Sequence, residues 1–382
     1  MNHDIEENAL RWHKIRLRKG SKLKKKGKKV AVVILSYNCE KYIEICLDSL
    51  LCQTYGNFKI VVVDNCSNDK TVDIVRNKYR DVEIIMNDSN YGFGKGFNVG
   101  IKHVQDQYQY IALLNPDIRV SKEWLQESVF SLEKNISSQI CGAYVLDWEG
   151  KTIDNAGGII LNLLFGVFGG FLGGEDVKNV PDRYKNEEFQ VFCGIATAIV
   201  VKKEAFVKYG LFDESYFMYF EDLDFSWRII LSGNSILCNP RATVYHYGHG
   251  TTKSSNIQLK ISACPETNVL ATYYKNLSTM YLIVLLPILV IMRIIFSFGY
   301  IFISPKITYY KIKAIGIFML KMIEGRYIQG RIFAQKLRVL SDFQVFRRNP
   351  TNVFSIAIIF KLSLKWLLRV QKVFKNNRVN GT

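Results

Sequence analysis

Val30-Ala-Val-Val-Ile-Leu35 runs straight into Ser36-Tyr37-Asn38. Six apolar residues without alternation read as a strand covered on both faces, because a half-wet strand would place a polar residue at every second position. The same arrangement recurs twice. Phe58-Lys-Ile-Val-Val-Val63 ends in Asp64-Asn65, and Tyr110-Ile-Ala-Leu-Leu114 ends in Asn115-Pro116-Asp117. Between them the spacing predicts helices over 40–52, 71–79 and 97–107, and a third strand over 82–86. The alternation β-α-β-α-β-α-β implies right-handed crossovers and a mainly parallel, Rossmann-like α/β sheet with flanking helices. Ligands of such sheets bind at the carboxyl ends of the strands. Short polar residues stand at three of those ends, a stronger signal than any one, which alone reads as a turn residue.

Asn90-Tyr91-Gly92-Phe93-Gly94-Lys95-Gly96-Phe97-Asn98 reads as a glycine-rich loop entering a helix. Free N–H groups and Lys95 there suit a diphosphate. The spacing is not that of a Walker loop, and the position after the third strand is wrong for a dinucleotide fingerprint. A flexible connector accounts for the glycines but less well for the combination of glycines, Lys95 and Asn98. Further on, a helix is expected over 121–134, strands over 140–146 and 189–201, a glycine-rich flap over 165–174, and strand character near Ile236 and over 242–249.

Tyr216-Phe-Met-Tyr-Phe-Glu-Asp-Leu-Asp-Phe-Ser-Trp-Arg228 puts Glu221, Asp222 and Asp224 at the start of a helix among aromatics. Desolvation there would raise a carboxylate toward the range of a general base. Acidic residues at a helix start also cap free N–H groups, so both readings stand on this stretch alone.

Formal charge is +17, from 51 basic and 34 acidic residues, and the excess sits at the ends. Residues 11–29 hold no acid, and after Glu266 the only acids are Glu324 and Asp342. Residues 1–29 read as a basic arm, either a solubilising tail or a tether to anionic lipid. Residues 281–303 are apolar enough to cross a bilayer, although Pro287 and Arg293 interrupt them. Residues 354–374 form a basic amphipathic pattern suited to a membrane interface or to a packed bundle. Spanning and interfacial readings both fit this region. Segregated charge without a recognised motif argues against nucleic acid as a partner. Eight cysteines without C-x-x-C or metal-finger spacing are expected as free thiols in a reducing cytosol, and no secretory signal is expected at the start.

Taken in order, Val-Val-Ile-Leu-Ser-Tyr-Asn38, Val-Val-Val-Asp-Asn-Cys-Ser67, the Asn90–Asn98 stretch, Leu-Leu-Asn-Pro-Asp117 and Phe-Asp-Glu-Ser-Tyr-Phe-Met-Tyr-Phe-Glu-Asp-Leu-Asp224 resemble glycosyltransferase family 2, and within it the bacterial rhamnosyltransferase-like members. The resemblance runs from about Val30 to His249. It implies a GT-A fold over 30–270, with a donor half to about 120 and an acceptor half beyond it. A helical, membrane-associating region would follow over 271–382. It implies an inverting transferase that moves a sugar from a nucleotide-diphosphate donor, such as dTDP-rhamnose or a UDP-sugar, to a lipid-linked or cell-surface polysaccharide acceptor. The work would take place at an anionic membrane surface on the cytoplasmic face. By motif position Asp64 would bind the base, with Ser36, Tyr37, Asn38 and Asn65 in the same pocket. Gly92, Lys95 and Asn98 would face ribose or diphosphate. Asp117 would hold Mg2+ or Mn2+, with Asn115 at the other position of that motif and His246 as a second ligand. Asp222 would be the base, beside Glu221. An inactive nucleotide-sugar or glycan binder of the same fold is the alternative. A nucleotidyltransferase would open with a glycine-rich loop after its first strand, which Ser36-Tyr37-Asn38-Cys39 does not supply.

Overall fold

A computed structural model of the chain describes residues 27–162, 166–248, 264–299, 301 and 304–349. The expectations for residues 1–26, for His249 and for the amphipathic segment 354–374 lie outside these residues.

Strands β1 (Val30–Ser36), β2 (Phe58–Asp64), β3 (Glu83–Met86) and β4 (Tyr110–Leu114) pair in parallel in the order β4-β1-β2-β3. Every residue of β1 is buried. Successive side chains point to opposite faces, so the strand feeds two cores. Ala31, Val33 and Leu35 join one of them, with Val61, Val63, Ile111 and Leu113. Val30, Val32 and Ile34 join the other, with Ile60, Val62, Ala112 and Leu114. Helix α1 (Ile43–Leu51) covers the second face with Ile43, Cys46, Leu47 and Leu50. Helices α2 (Thr71–Lys78) and α4 (Trp124–Lys134) lie on that face too, through Val75 and Trp124. Helix α3 (Phe93–Val104) covers the first face with Phe97, Ile101 and Val104.

Helix α3 corrects the reading of the glycines. It begins at Phe93, so Gly94, Lys95 and Gly96 are helical and do not form a loop. A Cβ on Gly96 would stand 2.6 Å from Leu35 Cδ1, and one on Gly100 would stand 2.4 Å from Val33 Cγ1. These glycines let the helix press onto β1 and β2, a packing role that outranks the cost of glycine inside a helix.

Beyond β4 the sheet is mixed rather than parallel. Strand β11 (Ala198–Lys202) runs antiparallel between β4 and β6 (Ser138–Asp147), and β12 (Ser235–His246) lies beyond β6. Short strands β5 (Ile118–Val120) and β10 (Phe189–Gln190) pair antiparallel with β12, and β7 (Ile153–Ala156) with β6. The two strand signals near 236 and 242–249 are one strand, bent by a register shift between Asn239 and Thr243. The expected strand over 189–201 is interrupted, with only its two ends in the sheet. Of the stretch expected as a flap, residues 166–170 form strand β9 (Gly166–Gly170), which pairs antiparallel with β8 (Ile159–Asn162).

Helix α5 (Lys203–Tyr209) precedes α6 (Glu221–Leu231), which carries the carboxylate cluster. Helix α7 (Cys264–Asn276) packs on α6 and precedes α8 (Thr279–Gly299), α9 (Pro305–Ile323) and α10 (Ile328–Lys336). The boundary expected at 270 falls inside α7. That helix is fastened to α6 by buried polar groups: Asn276 Nδ2 donates to Asp224 Oδ1 at 2.8 Å, and Lys275 Nζ lies 2.9 Å from the same carboxylate. Helix α8 is the one described helix long and apolar enough to cross a membrane.

Candidate active site

The carboxyl-end edge of β1, β2 and β4 holds the polar groups that the strand ends foretold. Asp64 closes β2 and is fully buried. Its Oδ1 accepts from Ser36 Oγ at 2.8 Å and Ser67 Oγ at 2.6 Å, and its Oδ2 accepts from Ser67 N at 2.8 Å. Asn65 Oδ1 accepts from Asn87 Nδ2 at 2.8 Å, while its Nδ2 donates to Gly92 O at 3.0 Å. Asn38 sits in the left-handed region at φ 48°, and its Oδ1 accepts from Asn68 N at 2.8 Å. Ser36, Asp64 and Asn65 therefore brace the ends of β1 and β2 from within, while Tyr37 is half-buried and Asn38 exposed.

Two residues expected at the donor turn inward. Asn98 Nδ2 donates to Phe212 O at 2.9 Å and Glu214 Oε1 at 3.1 Å, and its Oδ1 accepts from Phe212 N at 3.1 Å. The amide clasps the segment before α6, with both Nδ2 hydrogens engaged there. Gly92 adopts φ 77°, and a Cβ there would stand 2.3 Å from Phe217 O, so its backbone approaches protein rather than opening to a ligand. Lys95 lies on the first turn of α3 with its Nζ 3.9 Å from the centroid of the Tyr91 ring.

Asp117 follows β4. The β5–β12 pairing sets His246 opposite Ile118, which brings His246 Nε2 to 3.4 Å from Asp117 Oδ2. His246 Nδ1 lies 2.8 Å from Asp154 Oδ2 on β7. Burial works against the imidazolium, but the two carboxylates outweigh it and push the histidine up to about 10. Among the described residues no three His, Cys, Asp or Glu side chains converge to hold an ion. One carboxylate, and the imidazole once it has given up its proton, fit an ion that takes its remaining ligands from a nucleotide's phosphates and water. Asn115, half-buried beside them, anchors the loop by donating its N–H to Thr197 O at 2.9 Å.

That last bond ties the two halves together. Thr197 immediately precedes β11, whose Ala198 pairs with Leu114. The adjoining Ala196 N donates to Asp222 Oδ2 at 3.2 Å. Asp117 and Asp222 thus hang from neighbouring segments at one edge of the sheet. Asp222 lies in the first turn of α6, which follows Tyr219 and Phe220, both left-handed at φ 73°. Non-glycine residues there cost about 1–3 kcal/mol each and persist where surroundings impose them. Asn268 Nδ2 imposes this by donating to Met218 O at 2.9 Å and Tyr219 O at 3.0 Å.

Glu221 and Asp222 are adjacent carboxyls in unlike settings. Glu221 is 3% exposed, and its Oε2 has no hydrogen-bond partner among the described residues. Burial first, and the Asp222 charge second, raise it well above the usual carboxylate range. Burial also raises Asp222, but the Ala196 and Leu223 N–H groups support its charged form. Both carboxyls are thus raised by burial, and of the two Asp222 is the one whose charged form backbone N–H groups support. A carboxyl raised on folding binds a proton that the unfolded chain lacks, so its contribution weakens as pH climbs from the unfolded value through the folded one. Glu221→Gln is therefore expected to raise the melting temperature at pH 7, with a gain that shrinks toward pH 4 in thermal melts.

Residues with no local signal join this edge. Tyr42 and Tyr247 rings lie 4.7 Å apart, Trp148 stands 5.7 Å from Tyr247, and Arg119 lies 4.1 Å from the Tyr245 ring. They and Asp154 come from segments far apart in sequence, so only the sheet order reveals them.

The mixed sheet with helices on both faces, open at the carboxyl ends of β1, β2 and β4, is a GT-A-like α/β domain. GalNAc-T7, in a crystal structure with UDP, GalNAc and Mn2+, shares this fold with a TM-score of 0.51 at 16% identity, over 66% of this chain and 49% of that one. Residues 31–210 match the model of glycosyl transferase family 2, and the chain carries a glycosyltransferase domain of that family. It is similar to rhamnosyltransferase WbbL of Escherichia coli, 26% identical over 59% of this chain and 86% of that protein. It is also similar to the N-acetylglucosaminyl-diphospho-decaprenol L-rhamnosyltransferase of Mycobacterium tuberculosis, 24% identical over 58% of this chain and 76% of that protein.

Proposed function

We propose that this glycosyltransferase inverts the anomeric centre as it moves a hexosyl group, rhamnosyl foremost, from a nucleotide-diphosphate sugar to a hydroxyl of a lipid-linked or polysaccharide acceptor at the cytoplasmic membrane face. The observation that carries the reading is the shared edge of Asp117 and Asp222, joined through Asn115, Thr197 and Ala196. The rhamnosyl relatives favour the sugar, and the nucleotide and Mn2+ held by GalNAc-T7 favour the donor class and a divalent ion. dTDP-rhamnose and UDP-sugars are the donors to try first.

Asp222 takes the proton from the acceptor hydroxyl as its oxygen forms a bond to C1, and the bond from C1 to the diphosphate oxygen breaks. One base and one displacement invert the centre, through an oxocarbenium-like state. Asp117, with His246 once it is deprotonated, would hold Mg2+ or Mn2+, and the ion would supply positive charge against the departing nucleoside diphosphate. Tyr37, Asn38, Lys95 and Asn115 touch the donor from the accessible side, with Ser36, Asp64 and Asn65 bracing the pocket behind them. Purified protein given a nucleotide-sugar panel and Mn2+ is expected to release nucleoside diphosphate from one donor. EDTA stops that release and excess Mn2+ restores it. Tight donor binding without release on any acceptor would instead mark an inactive binder.

A further inference from the structure

We propose that α8 lies flat in the head-group region of an anionic bilayer, its outer face in lipid together with that of α9, and that it does not cross the membrane. The inference rests on the membrane association proposed above and specifies its geometry.

Length and composition let α8 cross, since its 21 residues could span about 30 Å. Its two faces argue otherwise. Met280, Ile283, Ile288, Ile291, Ile295 and Phe298 are exposed, Met280 at 76% and Ile283 at 66%. Their spacing lays them in one uncharged stripe along the whole helix. The opposite face, with Leu285, Leu289 and Ser297, is buried against the protein. A stripe of this kind is large for a surface that meets only water.

Arg293 decides the orientation. It projects from the inner face, where its Nε bonds Glu266 of α7, and Lys311 of α9 bonds the other oxygen of the same carboxylate. Glu266 is 3% exposed. Helix α7 is in turn fixed to the catalytic body by Asn268 on the Tyr219 carbonyl and Asn276 on Asp224. A crossing α8 would drag this charged cluster and the helix beneath it into hydrocarbon, where ionised side chains are costly. A flat α8 leaves the cluster on the protein side and gives the stripe to lipid.

Charge selects the lipid. Lys306 and Lys313 are exposed on α9 beside its own outward Ile317, Leu320 and Ile323. Beyond Glu266 the chain has two acids, of which Asp342 is buried beside Arg338 and Glu324 is paired with Arg326. A second copy of this surface would bring like charge to like charge. Anionic head groups complement it.

Full-length protein is expected to sediment with vesicles of phosphatidylcholine and phosphatidylglycerol, and far less with phosphatidylcholine alone. Ile283→Glu/Ile291→Glu is expected to lose that binding at least tenfold, with its melting temperature and nucleoside-diphosphate release kept. Met280→Trp, Ile288→Trp and Phe298→Trp then report depth through quenching by lipids brominated near the head group or near the bilayer centre, each read against the parent protein. A flat helix predicts equal, shallow quenching at all three. Deep quenching at Ile288→Trp with shallow ends is the pattern of a crossing helix and would overturn the inference. Unchanged vesicle binding by the double variant, or a soluble dimer that buries the stripe and ignores vesicles, would overturn it as well. These readouts need no turnover, so they stand or fall separately from the transferase reading.

Discussion

Asp222→Asn is expected to lower turnover by about 10²- to 10⁴-fold, the usual contribution of a positioned general base. The amide is nearly isosteric, and one of its two terminal atoms can still accept the Ala196 N–H that holds the carboxylate now. Donor affinity and melting temperature should therefore stay near those of the parent. The wild-type rate should also fall on the acid side with an apparent pKa above that of an ordinary aspartate, because burial raises Asp222 and only its ionised form accepts a proton. Steady-state kinetics across pH, with donor binding measured separately, check both statements. Wild-type turnover in the variant would remove Asp222 from the chemistry.

The largest expected loss of stability lies behind the site. Lys275 is 2% exposed and sits between two carboxylates, 2.7 Å from Asp213 and 2.9 Å from Asp224, and Arg228 Nε closes the cluster 3.3 Å from Asp224. Burial alone would raise Asp213, but the Lys275 ammonium overrides it and holds its carboxyl at about 2. That contribution is present above the unfolded value near 3.8 and is lost only as pH falls through about 2. Removing one member of a buried ion cluster strands the others, at about 3–5 kcal/mol. Lys275→Met should therefore lower the melting temperature by roughly 10 °C. Adding Asp224→Asn should recover part of the loss, since the two sites share one interaction. Calorimetry on the four proteins of that cycle measures the coupling. A melting temperature unchanged by Lys275→Met would contradict the account of how α7 holds α6, and with it Asp222.

Much of this architecture was legible because it is local. Six unbroken apolar residues at Val30–Leu35 force burial on both faces, and Ser36, Asp64 and Asn115 mark where three strands reach the ligand edge. What escaped depends on long-range contact. The glycines after Tyr91 carry one local meaning as a loop and another as a helix, and Leu35 and Val33 pressing on Gly96 and Gly100 choose the second. Asn98 looked outward until Phe212, more than a hundred residues away, took both ends of its amide. Asp154 and the Tyr42–Tyr247–Trp148 aromatics carry no motif at all. Arg293 was visible as a flaw in an apolar run, but its partner Glu266 was not, and that partner changes how the run is read.

The central claim is that a cation held by Asp117 and the base Asp222 flank one donor at the carboxyl edge of β1, β2 and β4. Crystals grown with nucleoside diphosphate and Mn2+ test it through the anomalous signal of manganese. The account predicts a peak in ligand contact with Asp117 and with the diphosphate, and Asp222 facing the open side where the sugar would stand. A nucleotide bound away from that edge, or a peak out of reach of Asp117, would contradict it.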